Sequence, residues 1–382
     1  MALGSPEVND DSCLPVLALN AGSSSLKFGL YLVGMHTSRM LVSGEAETVA
    51  EGRVAFVAND AEGKRLVTDT ELLSTPFAAI DHIARLLVTE RLPTIAAVGH
   101  RIVHGGPLCR HHTVIDSTVL QHLSDAKAFA PLHVPPALSL LQFAQQQFPD
   151  AQQVACLDTA FHTTMPDIAR TLPIPKEFRV RGIERYGFHG LSCESIVRQF
   201  GKDVPKRLII AHLGHGASVT AVANGQSIDT SMGLTPSGGV IMSTRCGDID
   251  PGVLAFLVRE CGYNAEKFEA LIDHRSGMMG ISGVSGDMRK LRSAAAANPD
   301  AALAIAMFCY SVRKQIAAMA AALGGVDALV FTGGIGENDA ATRTSICEGL
   351  EWLGLIAGRA SVHVMPAHED EQIALHTWHL TH

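Results

Sequence analysis

The sequence predicts an α/β protein with two domains. Its 382 residues exceed the size, about 300 residues, at which a single hydrophobic core stops growing. Short strand patterns alternate with helical patterns along the chain, which is typical of α/β proteins. A strand, a turn of small residues and a second strand occur near Asn20 and again near Gly214. This recurrence indicates a duplicated architecture.

The composition limits the classes of partner. Hydrophobic residues make up 47% of the chain and charged residues 18%, an ordinary globular balance. The net charge of -8 gives no general attraction for nucleic acid or for an anionic membrane, so we expect neither as a partner. The eight cysteines include no C-x-x-C pair, and residues 1–11 lack the basic and apolar segments of a secretory signal. Both features favour reduced thiols in a cytoplasmic protein.

The first predicted element is a β-hairpin. Residues 16–20 read as a strand, and after a turn Leu26, Phe28 and Leu30 recur with the period of a second strand. The turn holds Gly22 followed by three serines. A Walker loop would instead need Gly-Lys-Ser/Thr opening a helix. The turn is compatible with two interpretations, a solvated hairpin turn or a set of N–H groups and hydroxyls aimed at an anion.

Helices and short strands follow in the first half of the chain. We predict helices over residues 76–90 and 136–148 and short buried strands over residues 95–98 and 154–157. Ile80, Ile83, Leu86 and Leu87 fall on one face of the first of these helices, which predicts that this face packs on a core.

The second half repeats the hairpin and adds a long helix. We predict strands over residues 207–212, 217–222, 226–230 and 328–331, and helices over residues 301–325 and 339–350. Asn224 and Gly225 are a strong signal for the tight turn between two of these strands. The long helix is the most apolar stretch, but Arg313 and Lys314 interrupt it. We therefore expect a buried helix ending at Gly324, not a membrane span.

Two further glycine-rich turns follow predicted strands. They cover residues 213–217 and 332–338. Glycines at such positions let a charged or flat ligand lie against the backbone. Neither turn has the G-x-G-x-x-G spacing of a dinucleotide-binding loop. With the first hairpin turn, they indicate a nucleotide more strongly than any one turn does.

Five polar side chains are candidates for chemistry. Arg101 and Arg245 lie among glycines, where a guanidinium fork suits an oxyanion, although a surface ion pair is the commoner role of an arginine. Asp158 follows a strand, where it could handle a ligand or, equally, cap the next segment. His133 and His189 have stiff or aromatic neighbours, and a single such histidine is more often structural. Together with the turns, these residues favour phosphoryl transfer, which depends on positioning and charge neutralisation.

Seven segments together resemble the acetokinase family of the actin/sugar-kinase/Hsp70 superfamily. In family order they are residues 20–27 (NAGSSSLK), 100–106 (HRIVHGG), 158–162 (DTAFH), 185–190 (RYGFHG), 229–236 (DTSMGLTP), 247–251 (GDIDP) and 331–338 (FTGGIGEN). The resemblance implies two related actin-like (ribonuclease H-like) domains with a nucleotide cleft between them. It places the N-terminal domain, on the acyl and phosphate side, at residues 1–162 plus about 371–382, and the nucleotide-binding domain at residues 163–370.

The resemblance also implies roles for individual residues. It implies catalytic roles for Arg101, Asp158, His189, Arg245 and His133. It implies nucleotide binding by a larger set of residues: Ser23, Ser25, Lys27, His212, Gly214, His215, Gly216, Asp287, Met288, Arg289, Gly333, Gly334, Ile335, Gly336, Glu337 and Asn338. It assigns to a small acyl pocket Arg101, Val103, Leu132, Phe188 and Pro236, in which Val103 should favour acetate over propionate. Asn20 and Glu369 would hold Mg²⁺, for which Mn²⁺ could substitute, and a homodimer is implied.

The activity that the resemblance implies is reversible, Mg²⁺-dependent, direct in-line transfer of the ATP γ-phosphate to acetate, giving acetyl phosphate and ADP. Three features depart from the family. His215 stands where the family usually has Asn, and residues 243–247 read Ser-Thr-Arg-Cys-Gly where it usually has Gly-Thr-Arg-Ser-Gly. The short C-terminal end predicts a reduced last helix. The alternatives are a propionate or other short-chain acyl kinase, a pyrophosphate-dependent enzyme, and a nucleotide-binding protein without turnover.

Overall fold

The computed structural model describes residues 13–22, 25–48, 54–67, 71–73, 78–355 and 361–382. The chain divides into two compact units, Met1–Leu157 with His368–His382, and Asp158–Ala367. Among the described residues, one sheet has eight strands and the other five, and helices pack on both. The prediction of an α/β fold is therefore confirmed. Ser23, which the resemblance assigns to the nucleotide, lies outside the described residues.

The first unit begins with the predicted hairpin. Its strands are β1 (Leu14–Ala21), β2 (Ser25–Gly34), β3 (Thr37–Thr48), β4 (Val54–Asp60), β5 (Glu71–Leu73), β6 (Ala97–Ile102), β7 (Thr113–Val114) and β8 (Gln152–Leu157). Its helices before Leu157 are α1 (Ala78–Thr89), α2 (Ser117–Asp125) and α3 (Val134–Gln147). The strands lie in the order β5-β4-β3-β2-β1-β6-β8-β7. The hairpin and both predicted helices are thus confirmed, with small changes in their bounds.

One face of this sheet carries the core of the first unit. Phe28 of β2 and Phe56 of β4 stack with their ring centroids 5.5 Å apart. Ile80 and Ile83 of α1 are fully buried in the same cluster, as their helical spacing predicted. Burial of a side chain of this size contributes about 1.5–3 kcal/mol, so the cluster fixes the hairpin on its helices.

The second unit repeats this plan. Its strands are β9 (Arg207–Leu213), β10 (Ala217–Ala223), β11 (Gln226–Thr230), β12 (Ala328–Thr332) and β13 (Ser361–Val364). Its helices are α4 (Asp167–Arg170), α5 (Lys176–Val180), α6 (Gly190–Phe200), α7 (Pro251–Cys261), α8 (Ala265–His274), α9 (Gly277–Ser282), α10 (Met288–Ala294), α11 (Pro299–Leu323), α12 (Gly333–Asn338) and α13 (Ala340–Cys347). The long apolar helix ends as predicted, because Gly324 adopts the left-handed φ of +67° that favours glycine at a helix end.

Five neighbouring strands of the first sheet have the same order and directions as the five strands described in the second sheet, and this confirms the duplicated architecture. In the first unit, β3-β2-β1 are antiparallel neighbours and β1-β6-β8 are parallel. In the second unit, β11-β10-β9 are antiparallel and β9-β12-β13 are parallel. Parallel neighbours end at the same edge of a sheet, so the residues that follow them are brought together there.

The chain returns to the first unit with α14 (Glu369–Thr381). This last helix, for which the short C-terminal end predicts a reduction relative to the family, has 13 residues and packs on β1, β2, β6 and β8. Gly99 permits this packing, because a Cβ there would lie 2.1 Å from Thr377 Oγ1 and 2.6 Å from Ile373. Among the described residues, no helix combines the length and the apolar character that crossing a bilayer demands.

Two predicted boundaries also need correction. The strand predicted over residues 95–98 is β6, which runs to Ile102, so Arg101 lies inside a strand and not in a following loop. The glycine-rich turn predicted over residues 332–338 is largely the one-turn helix α12. Glu337 makes this turn helical, since its Oε1 accepts a hydrogen bond of 3.0 Å from the Gly333 N–H.

Candidate functional site

In the first unit, two parallel strands bring Asn20 and Arg101 together. Leu19 of β1 pairs with His100 of β6, so the next residue of each strand lies near the same end of the sheet. The Arg101 Nη1 lies 3.4 Å from Asn20 Oδ1 and 3.3 Å from the Ala21 carbonyl oxygen. The guanidinium is therefore held by the end of β1 and is only partly buried.

The N-terminus of α14 adds two carboxylates to this edge. The Asn20 Nδ2 donates to Glu369 Oε2 at 3.0 Å and to Asp370 Oδ1 at 2.8 Å. We refer to Asn20, Arg101, Glu369 and Asp370 as the carboxylate cluster. The sequence interpretation named Glu369 but missed Asp370. The run of acidic residues in the first turn of α14 was the available signal, because a helix N-terminus favours negative charge.

The charges in the carboxylate cluster are strongly coupled. Burial raises the pKa of the Asp370 carboxyl, the hydrogen bond from Asn20 opposes this, and the Glu369 charge raises the pKa further. The positive charges of Lys27 and Arg101 lower it. Two carboxylates and an amide form an oxygen-rich donor set, which is the chemistry that hard divalent cations prefer. The residues present therefore fit Mg²⁺.

The first unit also contains the other predicted residues that precede Asp158. Ser25 opens β2, and its carbonyl oxygen accepts a 2.7 Å hydrogen bond from the Gly22 N–H. Lys27 is exposed and pairs with Asn20 across the hairpin. His133 occupies the N-cap position of α3 without a side-chain capping bond. Two residues that the resemblance assigns to an acyl pocket differ in exposure: Val103 is 9% exposed and Leu132 is 39% exposed.

In the second unit, the backbone places His189 under strain. This residue is the N-cap of α6 and has a left-handed φ of 57°, a backbone conformation that residues other than glycine rarely adopt. The next residue, Gly190, donates its N–H to the Asp158 carbonyl oxygen at 2.8 Å. Asp158 is fully buried. It does not cap the following 3-10 helix, whose N-cap is Thr159, so the capping interpretation of Asp158 is not supported.

His189 and Arg245 reach the same small volume over Gly216. A Cβ placed on Gly216 would lie 3.1 Å from His189 Nε2 and 3.2 Å from Arg245 Nη1. His212 stacks on His189, with ring centroids 4.2 Å apart and 21° between the planes. A Cβ placed on Gly333 would lie 3.1 Å from His212 Nε2. We call His189, His212 and Arg245 the histidine–arginine cluster, since all three direct nitrogen atoms at the glycine-rich turns.

The loop that carries Arg245 is supported from behind. Gly277 has a left-handed φ of 61°, and a Cβ there would lie 2.6 Å from the Arg245 carbonyl oxygen. The Arg245 Nη1 also donates to the carbonyl oxygen of Pro236 at 3.3 Å. Pro236 and Phe188, which the resemblance assigns to an acyl pocket, are both buried.

The two glycine-rich turns of the second unit lie side by side. Thr332 of β12 pairs with His212 of β9, so the turns that follow these parallel strands share an edge. A Cβ placed on Gly214 would lie 3.8 Å from the Gly334 backbone nitrogen. The intervening His215 is exposed, but partial desolvation and the nearby Arg245 charge both lower its pKa by disfavouring protonation. Its imidazole is therefore neutral at neutral pH.

The remaining predicted nucleotide residues have structural partners of their own. Glu337 Oε1 accepts from the backbone N–H groups of Gly333 and Ala367, at 3.0 and 3.2 Å, and so holds the turn. Asn338 Nδ2 donates to the Gly334 carbonyl oxygen at 3.0 Å. Asp287 caps α10, and Arg289 bonds to its carboxylate at 2.7 Å, which lowers the pKa of Asp287. Ile335 and Gly336 belong to α12, and Met288 opens α10.

Comparison with known proteins decides the family. The model of the acetokinase family matches residues 15–374. The chain belongs to the acetokinase family. An acetate kinase from Clostridium botulinum (strain Loch Maree / Type A3) is 41% identical over 356 residues, which cover 90% of this chain and 88% of the relative. An acetate kinase from Caldanaerobacter subterraneus is 39% identical over 396 residues, with 95% and 98% covered.

Solved structures agree with this family assignment. A propionate kinase from Francisella tularensis is 36% identical, with a TM-score of 0.88 over 96% of this chain and 100% of its own. An acetate kinase from Porphyromonas gingivalis is 34% identical, with a TM-score of 0.83 over 97% of this chain and 100% of its own. The sequence-based assignment to a family of carboxyl-group phosphotransferases is therefore confirmed.

Proposed function

We propose that this acetokinase catalyses reversible, Mg²⁺-dependent transfer of the ATP γ-phosphate to acetate, giving acetyl phosphate and ADP. The observation that carries the proposal is the meeting of His189 Nε2 and Arg245 Nη1 over Gly216. Two nitrogen donors above a glycine without a side chain form a site where a phosphoryl group can be contacted from several directions. Phosphoryl transfer depends mainly on such positioned donors, because charge spreads over the oxygen atoms in the transition state.

The second unit would hold the donor and the group in transit. In this proposal the turns at Gly214, Gly216, Gly333 and Gly334 offer backbone N–H groups to the phosphates. Arg245 neutralises the phosphoryl oxygens with its planar fork, and His189 donates from Nε2. The other nucleotide contacts proposed from the resemblance are Ser23, Ser25, Lys27, His212, His215, Asp287, Met288, Arg289, Ile335, Gly336, Glu337 and Asn338.

The acetate would be held by the guanidinium of Arg101 and by a small apolar surface. Arg101 binds the acetate carboxylate and stays charged at any working pH. Val103, Leu132, Phe188 and Pro236 contact the methyl group. Asp158 orients groups at the reacting centre, and His133 assists nearby. Direct in-line transfer then needs no covalent enzyme intermediate, so the work of these residues is alignment of the attacking oxygen with the phosphorus atom.

Mg²⁺ would be held by Asn20 and Glu369, with Asp370 as a further oxygen donor of the carboxylate cluster. When bound, the ion would neutralise phosphate oxygens of the nucleotide. Burial mainly raises the pKa of Asp370 and the neighbouring Glu369 charge adds to it, and a bound cation would offset both effects. In the absence of the ion, Asn20 and Arg101 offset part of the same negative charge.

Propionate is the second candidate acceptor. It is favoured by the 36% identity to a structure described as a propionate kinase. The nearly buried Val103 argues for acetate, since it narrows the acyl pocket in the proposed assignment. A pyrophosphate donor and a protein without turnover remain outcomes of the same experiment, because His215 replaces the usual asparagine beside the proposed phosphate site.

The test is a panel of donors and acceptors on the purified protein. ATP and pyrophosphate are each paired with acetate, propionate and butyrate, and the acyl phosphate is trapped with hydroxylamine. We expect kcat/KM to be highest for ATP with acetate. A higher value for propionate would support the second candidate. Calorimetric binding of ATP without any acyl phosphate would reject the proposed activity.

Assembly and location are part of the proposal through the family resemblance. We propose a homodimer that acts in the cytoplasm. Light scattering should then give twice the chain mass of 40.5 kDa at micromolar concentration. A mass equal to one chain would reject the dimer without affecting the proposed chemistry.

A further inference from the structure

Two buried serines hold the stacked imidazoles of the histidine–arginine cluster from behind. His189 Nδ1 lies 2.9 Å from Ser218 Oγ, and His212 Nδ1 lies 2.8 Å from Ser192 Oγ. Ser218 is on β10 and Ser192 is on α6, and both are fully buried. The Nδ1 atom of each ring is thus engaged away from the glycine-rich turns. The Nε2 atoms are the ones that approach Gly216 and Gly333.

The direction of these two hydrogen bonds follows from the hydroxyls. Within the described part of the chain, Ser192 and Ser218 each have the imidazole Nδ1 as the one hydrogen-bond partner of Oγ. A hydroxyl that accepted a hydrogen bond from Nδ1–H would leave its own hydrogen buried without an acceptor, which is unfavourable. Each serine therefore donates to Nδ1. In a neutral imidazole the proton then resides on Nε2.

A third serine–histidine pair in the same unit shows this arrangement with its direction fixed by geometry. His162 Nδ1 lies 2.9 Å from Ser227 Oγ, and its Nε2 lies 2.9 Å from the Phe188 carbonyl oxygen. A carbonyl oxygen only accepts, so His162 Nε2 carries the proton and Ser227 donates to Nδ1. Burial lowers the pKa of His162 to about 4, so this ring is neutral. Since its Nε2 is bonded to the backbone, the pair offers a matched control.

We propose that Ser218 and Ser192 are positioning residues that fix His189 and His212 as Nε2–H tautomers. Both rings then present an N–H donor to phosphate oxygens above the glycine-rich turns, beside Arg245. This inference rests on the proposed function, since it names what the two donors contact. The left-handed backbone of His189 supports it, because that costly conformation orients the ring that Ser218 holds.

The first readout is the tautomer itself. The full-length protein, labelled with ¹⁵N-histidine, is examined by long-range ¹H–¹⁵N correlation spectra, with peaks assigned through His189→Gln and His212→Gln. We expect the Nε2–H pattern for both rings. Ser218→Ala should convert His189 to a mixture or to Nδ1–H, and Ser192→Ala should do the same to His212. Ser218→Cys keeps a weak donor of similar size, so its His189 pattern should lie between those of wild type and Ser218→Ala.

The second readout is kinetic. The net worth of one hydrogen bond corresponds to a change of about 3- to 10-fold. Ser218→Ala should lower kcat by that factor with the KM for acetate unchanged, and Ser192→Ala should raise the KM for ATP by that factor. Ser227→Ala removes an equally buried bond, so it should alter the His162 pattern and leave kcat near the wild-type value.

The outcomes separate this inference from the proposed function. An Nδ1–H pattern for His189 and His212 in the wild type would overturn the inference. So would an active wild type whose Ser218→Ala and Ser192→Ala variants keep both the pattern and the kinetics. If Ser218→Ala does not fold, an unchanged pattern and kcat in Ser218→Cys, Ser192→Ala and Ser192→Cys would overturn it equally. A wild type without kinase activity but with the Nε2–H pattern would support the tautomer assignment and overturn only the proposed function.

Discussion

The absence of a side chain at Gly216 should be essential to activity. In Gly216→Ala, the new Cβ would lie 3.1 Å from His189 Nε2, 3.2 Å from Arg245 Nη1 and 3.3 Å from His189 Cε1. These separations are shorter than the ordinary van der Waals distance of a carbon atom from a nitrogen atom or from another carbon atom. Both groups would have to retreat by a few tenths of an ångström, and the methyl group would occupy the volume in which they meet.

The size of the effect follows from this displacement. A 1 Å misplacement in an active site can cost about 100-fold in rate, so a smaller shift combined with a blocking methyl group should cost about 10- to 100-fold in kcat. Folding should survive, because Gly216 does not have a left-handed φ and the three contacts are with the ends of two side chains and not with the backbone. We expect the free energy of unfolding to change by less than about 1 kcal/mol.

The assay is acetyl phosphate formation from ATP and acetate, with urea unfolding of the same preparations. The matched control is Gly233→Ala in the same unit, since a Cβ there has no neighbour within 4 Å among the described residues. Gly233→Ala should keep the wild-type kcat. A Gly216→Ala protein with wild-type kcat would refute the reasoning, because it would show that the volume over Gly216 is not used in the reaction.

Three further predictions concern the first unit. Gly99→Ala should destabilise the protein by about 1–3 kcal/mol in urea unfolding, because overpacking against Thr377 displaces α14; an unchanged midpoint would contradict this packing. His100→Gln should reduce the loss of stability between pH 7 and pH 5 by about 2 kcal/mol, because burial lowers the pKa of His100 from 6.5 to about 4. The unfolded state binds the proton first as pH falls through 6.5, so stability is lost on acidification, and equal pH slopes for both proteins would contradict the assignment. Val103→Ala should raise kcat/KM for propionate relative to acetate by about 10-fold, since one methylene is worth about 1–3 kcal/mol, and an unchanged ratio would place Val103 outside the acyl pocket.

Local backbone features of this fold could be predicted from the sequence. The hairpin β1–β2, the tight turn at Asn224 and the end of α11 at Gly324 depend on short-range signals, namely alternation, turn residues and a glycine at a helix end. The strand β3 was missed. It alternates apolar residues such as Val42 and Ala46 with polar residues, but its partners in the sheet are what distinguish such a segment from an irregular one.

The site residues that belong to sequence motifs could be predicted. The site residues that only the packing of distant segments brings together could not. Asn20 and Arg101 were found through motifs, although β6 extends further than its apolar residues suggest because strands on both sides satisfy its backbone. Asp370 was missed, since only the packing of α14 on the sheet brings it to Asn20. Ser192 and Ser218 gave no signal, because their bonds to histidines exist only after α6 and β10 have packed.

The most direct test of the central claim is the rate of acetyl phosphate formation by Arg245→Ala at saturating ATP, acetate and Mg²⁺. The account predicts a loss of at least about 100-fold in kcat, the scale of removing one preorganised donor to a charged transition state, with the thermal unfolding midpoint unchanged. A variant that retains the wild-type kcat would contradict the claim that the histidine–arginine cluster acts on the transferred phosphoryl group.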